Sequence, residues 1–217
     1  MHAHLGSKLI AYGELLTKER SSLMNQNNIE KSTAKQQKKF KTILADPPWD
    51  VLQKGDHGAI QHYNLMTLER IKAMPIADLA EENSHLYLWV TNGVLPYGFE
   101  VLEAWGFKFR SIFTWVKPRI GLGNYMRNAT EHVLFATRGK APVRFKGQPT
   151  WGFYPLQDHS HKPEELHKMI ERLSEGDYLE LFARRRQPGW SVWGNEIDSD
   201  IVIPDYPVPS DKVGDNE

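Results

Sequence analysis

An acid followed at once by two prolines and an indole, Asp46-Pro47-Pro48-Trp49, closes the apolar run 41–45 of this 217-residue chain. Proline fixes φ and lacks a backbone N–H, so a strand ending there cannot continue. The turn presents a carboxylate and outward carbonyl oxygens as acceptors beside an aromatic face. That set suits a flat base bearing an amino group. The exocyclic amine of adenine is a poor nucleophile, because its lone pair is delocalised into the ring. Two acceptors aimed at its hydrogens, the Asp46 carboxylate and the Pro47 carbonyl, would draw the nitrogen towards tetrahedral geometry and localise the pair. This is preorganisation for charge that develops in the transition state. Trp49 would stack on the base or wall it in. The bland alternative is an ordinary strand-to-loop turn, in which Asp-Pro is common.

Two further constellations bear on a second ligand. Lys162 stands just before a helical pattern that begins at Pro163, so its ammonium and the free first-turn N–H groups can meet a carboxylate together. Later, the apolar run 178–183 ends at Arg184, and a second run ends in Gly194-Asn195-Glu196. An acid at the end of such a strand offers acceptors to ribose hydroxyls. No Gly-x-Gly-x-x-Gly and no Gly-x-x-x-x-Gly-Lys-Ser/Thr occurs, which disfavours a dinucleotide and an NTPase. The histidines at 159 and 161 lack spaced acidic partners, so no metal site is expected. Residues 117–155 hold seven Lys/Arg against the single acid Glu131, with Trp151, Phe153 and Tyr154 close behind. Basic side chains interleaved with aromatics suit a nucleic-acid backbone and its bases.

Positioning these groups requires alternating elements. Strand patterns cover 41–45, 85–91, 110–116, 131–136, 177–183 and 190–193, and helical patterns cover 67–80, 96–105 and 163–173. In the last helix Leu166, Met169, Ile170 and Leu173 recur at i, i+3, i+4 and i+7, behind Pro163 and two acids. The alternation predicts an α/β domain over 40–197 with a mostly parallel sheet covered on both faces. Ligands in such sheets bind at the C-terminal strand ends, where Asp46 lies. Gly55–Tyr63 has the glycine content of a mobile active-site loop.

Net charge is zero but unevenly spread. Residues 1–41 carry eight Lys/Arg against three acids, and 198–217 carry one Lys against six acids. The pattern predicts a basic amphipathic helix and polar linker over 1–39, able to touch nucleic acid, and an acidic, flexible tail over 198–217. With no cysteine, neither disulfides nor thiolate metal sites can form. There is no membrane-length apolar run, and the first residues lack a signal-peptide pattern, so a cytoplasmic protein is expected.

Taken together, Asp46-Pro47-Pro48-Trp49, Leu88-Trp89-Val90-Thr91, Trp115-Val116-Lys117, Glu131-His132, His161-Lys162-Pro163 and Trp193-Gly194-Asn195-Glu196 stand in one order. That order resembles the N6-adenine methyltransferase family that includes the catalytic subunit of the eukaryotic mRNA adenosine methyltransferase, with bacterial and phage members. The resemblance covers about residues 40–197. It implies a Rossmann-like methyltransferase sheet in permuted motif order, with S-adenosylmethionine as methyl donor. It implies further that Lys162 holds the methionine carboxylate, with Arg184, Asn195 and Glu196 at the ribose and adenine end and His161 and Phe182 beside them. Asp46 to Trp49 would hold the target adenine, lined by Tyr63, Glu131, Trp115 and Lys117. The chain departs from the eukaryotic pattern at Glu196, where those members carry Gln, and in the polar linker that replaces a strand before Asp46. DNA is the favoured polymer. N6-methylation of RNA and a catalytically inactive nucleic-acid-binding partner subunit are the alternatives, and oligomeric state is left open.

Overall fold

The computed structural model describes residues 38–50, 65–123, 125–156 and 162–210. The helix expected near the N-terminus, the loop expected around Tyr63, and His161 lie outside them. A compact unit begins at Lys39. It contains β1 (Phe40–Ala45), α1 (Leu68–Lys72), α2 (Ile76–Leu79), β2 (Ala80–Thr91), α3 (Leu95–Ala104), β3 (Lys108–Val116), β4 (Thr130–Arg138), β5 (Trp151–Phe153), α4 (Glu165–Leu173), β6 (Tyr178–Leu181) and β7 (Trp190–Trp193).

The strands form one seven-stranded sheet in the order β5-β3-β4-β2-β1-β6-β7. β4 runs antiparallel to both of its neighbours, β2 and β3, and every other pairing is parallel. Because β4 returns directly from β3 as a hairpin, it wedges between two strands that point the same way. The C-terminal ends of β1, β2, β3, β6 and β7 and the start of β4 therefore share one edge. This is the mixed α/β arrangement of a Rossmann-like methyltransferase fold.

Side-chain alternation along the strands builds a core on each face. On one face Ile43, Leu86, Leu88, Val90, Leu134 and Leu179 pack with α1, α2 and α3. On the other, Leu44, Tyr87, Trp89, Phe113, Trp115 and Val133 pack against Leu166, Met169, Ile170 and Leu173 of α4.

Three expectations need correction. The helix expected over 67–80 is two short helices. Pro75 has no N–H to donate, and its ring would crowd the Ile71 carbonyl in a continuous helix. That carbonyl instead accepts from Met74 N (3.2 Å) and Trp105 Nε1 (2.9 Å). The strand expected to reach Ala183 stops at Leu181, because Phe182 takes φ +63°. The segment after 198 is no flexible tail over its described part. Ile203, Tyr206 and Val208 are buried in the core, and Tyr206 Oη donates to the Arg70 carbonyl at 2.8 Å. Asp200 N donates to the Val192 carbonyl at 2.8 Å, fastening the segment to β7. Its apolar residues are spaced among prolines and acids, so average composition hides them.

Candidate active site

Period-two alternation decides which side chains meet at the shared edge. Leu44 lies on the α4 face, so Asp46 does too. By the same count Trp89 follows Tyr87, Lys117 follows Trp115, and Glu131 precedes Val133. The register then brings them level: Trp115 is opposite Glu131, Trp89 opposite Val133, and Ala45 beside Leu88. Lys162 enters from just ahead of α4, the helix on that face. Asp46, Glu131, Lys117 and Lys162 thus form one cluster.

Lys162 Nζ lies 3.1 Å from Asp46 Oδ2 and 3.3 Å from Glu131 Oε2. Lys117 Nζ bonds Glu131 Oε1, and Trp89 Nε1 donates to Glu131 Oε2 at 2.6 Å. The two ammonium groups also sit over indole faces, Lys162 over Trp89 (4.7 Å) and Lys117 over Trp115 (4.9 Å). Burial pushes the Asp46 carboxyl above the ordinary aspartate range, with Lys162 opposing the shift and Glu131 reinforcing it. Burial acts on Glu131 in the same sense, but Lys162, Lys117 and Trp89 together outweigh it and hold that carboxyl below its usual range. Lys162 is pulled down by burial and pulled up more by its two carboxylates, so its ammonium is held above the usual lysine value. Two acids in one cluster are thereby split: Glu131 is the fixed anion and Asp46 the more basic carboxylate.

The turn after Asp46 differs from expectation in one respect. Its proline carbonyls are not free, since Pro47 O accepts from Trp49 N (3.0 Å) and Pro48 O from Met66 N (2.7 Å). Each carbonyl has a second lone pair, so Pro47 O retains one acceptor site. Trp49 Nε1 donates to the Trp89 carbonyl at 3.3 Å, which fixes the indole beside the cluster.

Next to Asp46, towards β6 and β7, lies a cleft of about 380 Å3 whose lining includes Lys162, His167, Glu180, Phe182, Arg184 and Glu196. The left-handed turn at Phe182 brings its ring edge-on to Trp193 (centroids 5.3 Å apart). Ala183 N bonds the Trp193 carbonyl at 2.9 Å. A Cβ on Gly194 would fall 2.2 Å from the Ala183 carbonyl oxygen, so only glycine lets these strand ends close up. Arg184 Nε lies 3.5 Å from Glu196 Oε1 on the cleft wall. Of the cleft-lining side chains, His167 has a buried Nδ1 with no hydrogen-bond partner among the described residues. A volume of this size, lined by a lysine, an acid–arginine pair and His167 with its unmet Nδ1, fits a zwitterionic nucleoside ligand.

Of the residues singled out in the sequence, the structure gathers Asp46, Pro47, Pro48, Trp49, Glu131, Lys117 and Lys162 at the edge, with Phe182, Arg184 and Glu196 around the cleft. Trp115 is buried and its Nε1 is used by the Tyr154 carbonyl (3.0 Å), so it supports Lys117 from behind. Asn195 is exposed and does not line the cleft. Trp89 and Glu180 are the residues that sequence reasoning passed over. Glu180 is an acid within an apolar strand, and its Oε2 meets His167 Nε2 at 2.8 Å. That acid among apolar neighbours was the available signal. Among the described residues no cluster of acids and histidines is placed to hold a metal ion, and no helix is long and apolar enough to cross a membrane.

The chain is similar in sequence to known proteins over the same region. The MT-A70 family model matches residues 40–196. The human N(6)-adenosine-methyltransferase catalytic subunit is 32% identical over 172 residues, covering 74% of this chain and 28% of that protein. The Drosophila melanogaster N(6)-adenosine-methyltransferase MT-A70-like protein is 30% identical over 172 residues, covering 74% and 27%. The type II methyltransferase M.MunI of a Mycoplasma species is 28% identical over 194 residues, covering 77% of this chain and 82% of its own length. The chain thus spans about a quarter of the length of the eukaryotic relatives it matches.

Proposed function

The chain belongs to the MT-A70 family, and on that premise we propose that it transfers a methyl group from S-adenosylmethionine to the N6 amine of adenine in DNA. The observation that carries this is the Asp46 carboxylate, tied through Lys162 to Glu131 and on one edge with a nucleoside-sized cleft. The bound donor supplies an electrophilic methyl on a sulfonium centre. Asp46 accepts an N6–H of adenine, and the remaining lone pair of Pro47 O accepts the other. Together they localise the nitrogen lone pair that forms the new C–N bond as the C–S bond breaks. The surplus proton then leaves the methylated nitrogen, with Asp46 the nearest and more basic carboxylate to receive it.

Lys162 has three N–H donors and spends two on Asp46 and Glu131. The third is available to the methionine carboxylate. Arg184 and Glu196 take the ribose end, with Asn195 beside them on the same strand end. Trp49 and Trp89 wall the acceptor side, with Lys117 and Glu131 fixing the floor.

DNA as the polymer is supported by the type II methyltransferase, whose own length the match nearly fills. The identity to the N(6)-adenosine-methyltransferases favours RNA. Incubation with labelled S-adenosylmethionine and random-sequence DNA or RNA, followed by nucleoside analysis, separates them. Label in N6-methyldeoxyadenosine is expected; label confined to N6-methyladenosine would move the assignment to RNA, and no label would end it.

A further inference from the structure

The β3–β4 connection, 117–129, is unlike the other surface loops. Ile120, Leu122, Tyr125 and Met126 are exposed by 64%, 73%, 103% and 84%. One exposed apolar side chain needs no explanation, whereas four within seven residues form a patch that calls for a partner. Its described residues are nonetheless bonded across the base of the loop. Gly121 N donates to the Asn128 carbonyl (2.6 Å), and Asn128 Nδ2 returns a bond to the Leu122 carbonyl (2.8 Å). Asn92, just past β2, ties its base by donating to Asn128 Oδ1 and the Thr130 carbonyl. A Cβ on Gly123 would sit 1.9 Å from the Met126 carbonyl oxygen, so the tip is a tight glycine turn. The result is a short finger pinned across its base, with four exposed apolar side chains among its described residues.

Its charge selects the partner. From 118 to 130 there are two arginines, Arg119 and Arg127, and no acid. Both are exposed, so the apolar tip is flanked by cations suited to phosphates. Its position selects the task. The finger springs from Lys117 and returns two residues before Glu131, the pair that floors the acceptor site. Beside its root, Trp151 and Phe153 of the edge strand β5 are each 59% exposed, and Phe153 lies level with Val116.

We infer that the 117–129 finger is a wedge. Leu122, Tyr125 and Met126 enter the base stack of duplex DNA beside the target adenine while Arg119 and Arg127 bind the flanking phosphates. Apolar wedges flanked by arginine unstack base steps in this way, and an adenine must leave the stack before its N6 can reach Asp46. The inference rests on the acceptor site proposed above, so its test needs a readout other than methylation.

That test compares wild type with the triple variant Leu122→Ser, Tyr125→Ser, Met126→Ser on three random-sequence DNA pools: duplex, duplex with a central unpaired bubble, and single strand. Permanganate reactivity of thymines reports unstacking, and methyl incorporation is measured in parallel. Because the three side chains are exposed, the melting temperature should not change. Wild type is expected to raise permanganate reactivity in the duplex and the variant not to. Methylation of the duplex should fall about tenfold or more in the variant, with less than about a twofold loss on bubble and single strand, where unstacking is already done. Equal loss on all three pools, or no loss on the duplex, overturns the wedge. So does a wild-type dimer that the variant converts to a monomer, which would make the finger a contact between copies. If wild type methylates nothing yet opens the duplex through this finger, the methyltransferase reading fails and the wedge stands. A second variant, Arg119→Gln with Arg127→Gln, should weaken binding to duplex and single strand alike and flatten the salt dependence by about two charges. An unchanged salt slope would remove the phosphate role.

Discussion

Replacing Lys162 by Met keeps an unbranched apolar stem and removes the ammonium that sits over Trp89 and is shared by Asp46 and Glu131. The consequences for the two acids are unequal. Glu131 retains Lys117 and the Trp89 Nε1 donor, whereas Asp46 loses the ammonium 3.1 Å away. Removing one partner of a buried pair costs about 3–5 kcal/mol, and an exposed pair is worth about 0–1. Here the side chains keep 25% exposure at Lys162 and 33% at Asp46, an intermediate case. A loss of about 1–2 kcal/mol follows after that discount for solvent screening, or roughly 3–6 °C in melting temperature for a domain of this size. The sign with pH is fixed by Asp46. Its carboxyl, already raised, rises further without Lys162, so the destabilisation exists only where Asp46 would be ionised. The melting gap should open towards neutral and alkaline pH and close in acid, and the acid limb of the pH–rate profile should move to higher pH. Thermal melts and initial rates across pH read both. A gap independent of pH, with an unmoved acid limb, would refute the coupling.

Glu131→Gln tests the other half of the split. A carboxyl held below its unfolded value contributes stability that is full above that value, about 4.3, and fades as pH falls through the folded one. The variant should lose about 2 kcal/mol at neutral pH and approach wild type in acid, by urea titration. Gly194→Ala places a methyl against the backbone of Ala183, which cannot turn aside. It should cost about 1–3 kcal/mol and weaken S-adenosylmethionine binding by calorimetry; unaltered affinity would detach this turn from the cleft. Ending the chain after Asp200 removes the buried Ile203, Tyr206 and Val208. A loss of at least about 3 kcal/mol is expected on chemical denaturation, and an unchanged midpoint would restore the flexible-tail expectation.

What could be read from the sequence divides along physical lines. The strand ends that carry chemistry were legible because prolines, charges and glycine interrupt apolar runs there, as at Asp46 and Gly194. The α4 face was legible because its period is nearly ideal. The 67–80 helix failed at Pro75, a local signal outweighed by apolar periodicity on either side. Strand β5 went unseen, since three residues around a glycine carry no alternation and form a strand only by pairing with β3. Which acids would share Lys162 depends on the β3–β4 register, a long-range fact. Without that register Glu131 and Lys117 were known only by resemblance, and the place of Trp89 between them was not known at all. The Pro47 carbonyl was expected to be free, because a sequence does not reveal that Trp49 N folds back onto it.

The most direct measurement of the central claim is methyl incorporation into random-sequence DNA by wild type and by Asp46→Asn, with S-adenosylmethionine binding to each followed by calorimetry. Wild type should yield N6-methyladenine, the variant should lose about 100-fold or more of that activity, and both should retain cofactor binding. Incorporation at the wild-type rate by the variant would contradict that claim.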